Sequence, residues 1–223
     1  EALDGPVAYT PIEISRAALL SSIDHLAPAL PEVEMLPVCA DFTHPVAVPL
    51  PEREAARRLL FFPGSTLGNF EGEDAVALLL AMRQTMGRDG LALVGIDLHK
   101  DPALIEAAYN DAQGLTAAFT LNLLARLNRE IGSDFDLDGF RHRARYSVAR
   151  LRIETDLVSQ RAQDVHLDGR TFHFVADEPI RVEYSHKYTD DSFEALLQEA
   201  GLQVTQRWNA DSPAYGLRLL RAI

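Results

Sequence analysis

A single cysteine, Cys39, stands in this chain of 223 residues. No internal disulfide can form, and nothing points to an oxidising compartment. Cations are scarce as well: 21 Lys and Arg face 33 Asp and Glu, a net charge of −12. A surface of that sign repels phosphate backbones and anionic lipids unless its cations gather on one face. The densest basic run, Arg141, Arg143, Arg145, Arg150 and Arg152, is interleaved with apolar residues and followed by Glu154 and Asp156. Neither nucleic acid nor a membrane is therefore an expected partner. No apolar run is long enough to span a bilayer, and residues 1–6 lack both the basic end and the apolar core of a signal peptide, so a cytoplasmic location is expected. The seven histidines, His25, His44, His99, His142, His166, His173 and His186, have no metal-ligand spacing, and no metal is expected. Position 1 is not methionine, and there is no internal repeat or low-complexity tract.

What the chain does have is enough apolar material for a buried core. With 47% hydrophobic and 24% charged residues, it suits one large domain or two small ones and excludes disorder. The first half alternates strand and helix signals, the pattern of a parallel α/β sheet. Strands are predicted at residues 7–14, 33–40, 58–62 and 91–96, the second apolar enough to be covered on both faces. Helices are predicted from Arg16 to Leu26, capped by Ser15, and from Asp74 to Met86. Beyond residue 97 the pattern changes. Residues 101–131 read as helical, with Leu104, Ala108, Leu115, Phe119, Leu123 and Leu127 as an apolar stripe, and Asp134 to His142 reads as a short further helix. Residues 144–187 carry four strand-like runs, with a turn at Asp168-Gly169, which points to an antiparallel sheet. A helix capped by Asp190 or Asp191 and ended by Gly201 follows. Two closing strands, 202–208 and 215–223, are joined by a link so short that they must pair antiparallel, and Trp208 is expected in the core.

In open parallel sheets ligands sit beyond the carboxyl ends of the strands. Those ends are Glu13, Asp41, the turn after Phe62, and Asp97. A carboxylate at Glu13 can accept both hydroxyls of a ribose, although an ordinary strand-end acid would look the same. Asp41 with Phe42 suits an adenine, the acid taking the exocyclic amine and the ring covering the base; a simple Asx turn fits equally. The turn Phe62-Pro-Gly-Ser-Thr-Leu-Gly-Asn69-Phe70 combines glycines, hydroxyls and an amide near a helix start, but it has no Walker lysine. Glu183 and Ser185, two apart on one strand, share a face.

Several of these segments, taken in order, resemble one family. They are Tyr9-Thr-Pro-Ile-Glu-Ile-Ser15, Phe61-Phe-Pro-Gly-Ser-Thr-Leu-Gly-Asn-Phe70, Gly95-Ile-Asp-Leu98, Ala107-Ala-Tyr-Asn-Asp-Ala-Gln-Gly-Leu-Thr-Ala-Ala-Phe119, Leu121-Asn-Leu-Leu124, Asn128-Arg-Glu130 and Glu183-Tyr-Ser-His-Lys-Tyr188. The chain is similar, from about residue 7 onward, to the histidine Nα-methyltransferases of ergothioneine biosynthesis. That resemblance implies a class I (Rossmann-like) S-adenosylmethionine (SAM) methyltransferase core, α/β in class, at 1–97 and 189–223, with an inserted α+β substrate domain at 98–188. It implies trimethylation of the α-amine of L-histidine to hercynine; a monomer is expected. Glu13 would hold the cofactor's ribose, and Asp41 with Phe42 its adenine. Gly64, Thr66 and Asn69 would surround the amino and carboxylate groups of the amino acid, Tyr109 would donate to that carboxylate, and Glu183 and Ser185 would grip the imidazole. No covalent nucleophile or catalytic residue is assigned.

Two positions depart from the family pattern: Thr120 replaces a common asparagine, and Tyr184 fills the middle of the Glu-x-Ser trio. A larger departure is at the front, where the family's first strand and Gly-rich turn have no counterpart before Tyr9. In the usual order that strand is central, between residues 7–14 and 58–62, so the chain reads as a C-terminal excerpt of a longer enzyme or a truncated product. Methylation of another amine, and a non-catalytic binding module, are the alternative readings.

Overall fold

The computed structural model describes residue 5, residues 7–210 and residues 214–223. Most of the opening hexapeptide and the middle of the link between the last two strands therefore lie outside the described residues. In chain order the strands are β1 (Ala8–Tyr9), β2 (Ile12–Glu13), β3 (Glu34–Met35), β4 (Val38–Cys39), β5 (Leu59–Phe62), β6 (Leu91–Asp97), β7 (Phe140–Ser147), β8 (Arg152–Ser159), β9 (Gln163–Leu167), β10 (Arg170–Phe174), β11 (Pro179–His186), β12 (Leu202–Ala210) and β13 (Tyr215–Ala222). The helices are α1 (Arg16–Leu26), α2 (Gly72–Met86), α3 (Pro102–Tyr109), α4 (Leu115–Ile131) and α5 (Asp190–Glu199). Two compact units result: one of Glu1–Leu67, Glu71–Ile96 and Thr189–Ile223, the other of Gly68–Phe70 and Asp97–Tyr188.

The first unit is built on a four-stranded sheet in the order β12-β13-β6-β5. β5 and β6 run parallel, and β12 and β13 antiparallel as their short link requires. Ala92, Val94 and Ile96 of β6 are fully buried, as are Leu78 and Leu79 of α2 and Phe193 and Leu197 of α5. Acids in the first turn of α2 and Arg83 in its last complement the helix dipole. Ser15 caps α1 as expected, whereas α5 is capped by Thr189, in a reciprocal box with Ser192, and not by Asp190 or Asp191. The threonine hydroxyl sits where it meets the third helical N–H, and the two aspartates instead place charge in the first turn.

Residues 7–14 and 33–40 do not form two continuous strands. Each is split into two-residue pieces, β1 with β2 and β3 with β4, by Thr10-Pro11 and Leu36-Pro37, because proline cannot donate to a ladder. The pieces pair in parallel, β1 with β3 and β2 with β4, apart from the four-stranded sheet. Their residues are half-buried or exposed, so the expected cover on both faces is absent among the described residues. Trp208 is 47% exposed and not in the core, because β12 is the outer strand of its sheet.

The second unit is an antiparallel sheet, β11-β8-β7, with the separate hairpin β9-β10 closed at Asp168 (φ 49°) and Gly169 (φ 70°). Two positive φ angles in a two-residue loop match the twist of the flanking strands. α3 and α4 pack on β7. Ile105 of α3 joins Ala144, Tyr146 and Ile153, with Tyr109 against them; Leu124 of α4 joins Phe140, Leu157 and Val165. The stripe read across 101–131 is thus mostly wrong: Leu104, Leu115 and Phe119 are exposed, Phe119 by 77%, while Ile105, Thr120 and Leu124 face inward. The chain breaks at Asn110–Gly114, which resets the helical phase between α3 and α4. Asp134 to His142 is likewise not a helix. Asp136 caps only a three-residue turn, Leu137–Gly139, before Phe140 begins β7 and pairs with β8.

On the other face of this sheet, cations and acids alternate. Asp156, its side chain 4% exposed, lies between Arg143 (2.8 Å) and Arg181 (2.6 Å), and Glu154 meets Arg150, Arg152 and Arg181. Arg152 stacks 3.7 Å over the Tyr184 ring. The basic run seen in the sequence is in this way largely matched by acids.

Asp111, in the break before α4, accepts from the N–H groups of Leu115 and Thr116, both at 2.8 Å. These bonds hold its carboxyl down at about 2. A group depressed in the folded state contributes stability that is present above its unfolded pKa, about 3.9, and is lost as pH falls toward the folded value. Acid unfolding followed by circular dichroism should therefore begin at a higher pH in Asp111→Asn than in the parent.

Candidate active site

Glu13 and Asp41 stand at the carboxyl ends of neighbouring parallel strands. β2 and β4 pair as Ile12 with Val38 and Glu13 with Cys39, so Asp41, two residues past β4, follows the same edge. The half-buried Glu13 carboxylate takes the Ser15 N–H at 2.7 Å. Asp41 is exposed, and one of its oxygens accepts from both the N–H (2.9 Å) and the hydroxyl (2.7 Å) of Thr43. Those bonds, and then His44, lower its pKa. Its local geometry is that of an Asx turn. The Phe42 ring meets Phe62 edge-on at 5.6 Å, placing an aromatic surface at the end of β5.

The turn after β5 crosses directly over β6. Phe62 is in register with Val94, which brings Pro63 beside Gly95, and the Tyr215 hydroxyl donates to the Pro63 carbonyl. Ser65, and neither neighbouring glycine, takes the left-handed conformation, at φ 55°. Such a backbone on a non-glycine residue is uncommon and concentrates at functional turns. Thr66–Asn69 then forms one short helical turn. Gly68 is tight against β11: a Cβ there would lie 2.8 Å from the His186 carbonyl oxygen. That approach sets Asn69, exposed on the same unit, one residue from the end of β11.

The most developed cluster lies on the second unit. Beyond a bulge between Arg181 and Glu183, β11 directs Glu183 and Ser185 to the face on which α3 packs, with Lys187 next in the alternation. Tyr109, the last residue of α3, has its hydroxyl 2.8 Å from the Ser185 oxygen. The Lys187 ammonium donates to Tyr109 (2.9 Å) and Ser185 (2.8 Å) and pairs with Asp97 at 3.0 Å. Asp97 is held on its other oxygen by Lys100 at 2.7 Å. Burial pushes the Glu183 carboxyl above its ordinary range, and the nearby Lys187 charge opposes that rise. Tyr184 points to the opposite face, under Arg152.

Of the residues expected at the site, then, Tyr109, Glu183 and Ser185 come together in one cluster, and Asn69 lies on the same unit. Glu13, Asp41, Phe42, Gly64 and Thr66 are on the first unit. Lys187 is the residue that reading the sequence passed over. It belongs to the same alternation as Glu183 and Ser185, and a third polar residue at that period was the available signal. Among the described residues no group of three or more His, Cys, Asp or Glu side chains could hold a metal ion.

A family model described as histidine-specific, SAM-dependent methyltransferase matches residues 1–222. A histidine N-alpha-methyltransferase from Mycolicibacterium smegmatis is 35% identical over 95% of this chain and 65% of its own length. Ergothioneine biosynthesis protein 1 of Neurospora crassa is 30% identical over 76% of this chain and 19% of its own length. An L-tryptophan methyltransferase of Psilocybe serbica is 31% identical over 73% and 46%. The chain thus spans somewhat less than two thirds of the first of these relatives and a smaller share of the others. With the motifs in order, the parallel and antiparallel strand pairs in place and the family model matched almost end to end, this chain belongs to the histidine-specific, SAM-dependent methyltransferase family.

Proposed function

We propose that this chain supplies the histidine-binding cluster and part of the cofactor site of an enzyme that trimethylates the α-amine of L-histidine to hercynine, a step of ergothioneine biosynthesis. The observation that carries the reading is the Glu183–Ser185 pair, one acceptor and one hydroxyl on one strand face, buttressed by Tyr109 and Lys187. A neutral imidazole has one N–H and one bare nitrogen. Glu183 accepts from the first and Ser185 donates to the second, so a side chain lacking either group leaves a buried partner unsatisfied. Asn69, Thr66 and the Gly64 carbonyl are assigned to the amino and carboxylate groups.

The donor set of the first unit fits SAM. Two carboxylates at neighbouring strand ends suit the hydroxyls and exocyclic amine of a nucleoside, and the Phe42 ring offers a face for its base. When bound, SAM supplies an electrophilic methyl on a sulfonium sulfur. What remains for the protein is to align the amine with that methyl and keep the site dry. The amine must be neutral at each attack, so each transfer is preceded by loss of its proton.

The reading is tested by incubating the chain, and separately a form extended upstream in its own reading frame, with L-histidine and methyl-labelled SAM. Mass spectrometry should find trimethylhistidine with the extended form. Methylation of tryptophan or another amine, with none of histidine, would overturn the substrate. Histidine binding by both forms without product would favour the binding module.

A further inference from the structure

We propose that Lys187 is a positioning residue that fills a lone pair on each hydroxyl of the Tyr109–Ser185 pair, so that Ser185 meets the ligand as a donor, which makes the site selective for a neutral imidazole. The inference rests on the assignment of Glu183 and Ser185 to the imidazole, and concerns what directs them.

The count of donors is closed. A lysine ammonium has three N–H groups and no acceptor. Here they reach Asp97, Tyr109 and Ser185 at 3.0, 2.9 and 2.8 Å, and the residue is only 2% exposed. Both hydroxyl oxygens are thereby made acceptors. Tyr109 and Ser185 are also bonded to each other at 2.8 Å, and that bond uses one of their two hydrogens. One O–H is left to point away from the cluster. With Tyr109 donating to Ser185, the serine oxygen accepts twice and sends its hydrogen outward, on the face it shares with Glu183.

A site offering one acceptor and one donor matches imidazole. Imidazolium brings two donors, so one N–H would oppose the serine hydrogen. Indole has a donor and no acceptor, so that hydrogen would be stranded. Without the ammonium one lone pair of Ser185 is freed, so the serine could accept from the ligand even while Tyr109 donates to it, and the preference would be lost. Tyr109 cannot donate to Ser185 and to a substrate carboxylate together, so with Ser185 donating to the imidazole the carboxylate is left to Asn69 and Thr66. Asp97 is also paired with Lys100, so replacing Lys187 would leave that carboxylate a cation.

The test is a double-mutant cycle on the full-length protein, reading the KM for histidine and for SAM. Lys187→Met should raise the histidine KM about 10- to 100-fold, the scale of a charge-assisted hydrogen bond, with the SAM KM within about twofold of the parent. In a Tyr109→Phe, Ser185→Ala background the same change should cost less than about twofold, because the groups it directs are gone. An equal loss in both backgrounds, or a rise in both KM values, would make Lys187 merely structural and overturn the proposal. If Lys187→Met does not fold, Lys187→Gln carries the same cycle, and failure of both would also overturn it. Absence of histidine turnover by the unsubstituted protein would remove the substrate reading and this role together; histidine turnover with an additive cycle removes this role alone.

Discussion

Glu183→Ala should raise the KM for histidine by about 30-fold or more and leave that for SAM within about twofold, since removing one partner of a buried charged hydrogen bond costs about 2–5 kcal/mol. The carboxylate is partly buried on β11, and Lys187, whose charge acts on it, also bonds to Asp97, Tyr109 and Ser185. With alanine there, the imidazole N–H has no acceptor on that strand face, and the loss falls on histidine binding. A pH profile sharpens the prediction. Burial holds the Glu183 carboxyl above its ordinary range, so its charged form is lost at a higher pH than that of an exposed glutamate. Free imidazole, with a pKa of about 6.5, gains its second donor as pH falls. Both changes weaken binding as pH falls, so the parent's histidine KM should climb as pH is lowered from 8, while Glu183→Ala, already lacking the carboxylate, should show a shallower climb. Equal effects of the substitution on both substrates would contradict the role.

Much of the frame was legible because it is written in local chemistry. Ser15 before an apolar run marks α1, Asp168-Gly169 between strand signals marks a two-residue hairpin, and the short link after residue 208 forces β12 and β13 together. Where the reading failed, a periodicity was carried across a break or a burial inferred from residue type. The stripe through Leu104, Leu115 and Phe119 assumed one continuous helix, but Asn110–Gly114 resets the phase, and the inward positions become Ile105, Thr120 and Leu124. Trp208 is expected in the core from its place in a strand, but it falls in the exposed half of β12, the outer strand of its sheet. The candidate site divides in the same way. Alternation alone places Glu183 and Ser185 on one face, but the contact of Ser185 with Tyr109, and the burial of Lys187 against Asp97, come from packing α3 on the sheet. No local pattern encodes that packing. A lysine in a strand reads as solvated until the partner that neutralises it is seen.

Gly95→Ala should destabilise the first unit by about 3 kcal/mol, at or beyond the usual upper end for adding a methyl to a packed interior. The reason is geometric. Gly95 is buried in β6, and a Cβ built on it would overlap the carbonyl oxygen of Pro63 and the hydroxyl of Tyr215. The first is backbone, fixed because β5 and β6 are in parallel register up to Phe62 and Val94. The second is held in place by donating to that same carbonyl. Relief therefore requires either slipping the β5 turn away from β6 or giving up the Tyr215 bond, and the first also moves Gly64 and Thr66. The chain's one tryptophan, Trp208, lies on β12 of this unit, so its fluorescence during urea unfolding reports on the affected region directly. The transition should shift to lower urea, with the thermal midpoint falling by about 6–12 °C for a domain of this size. Adding Tyr215→Phe removes one of the two obstacles and leaves the carbonyl, so the double variant should recover part of the loss but not all of it. A Gly95→Ala protein within about 0.5 kcal/mol of the parent, the range of an ordinary surface change, would mean that the turn does not cross β6 this closely, and the placement of Gly64 and Thr66 would fall with it.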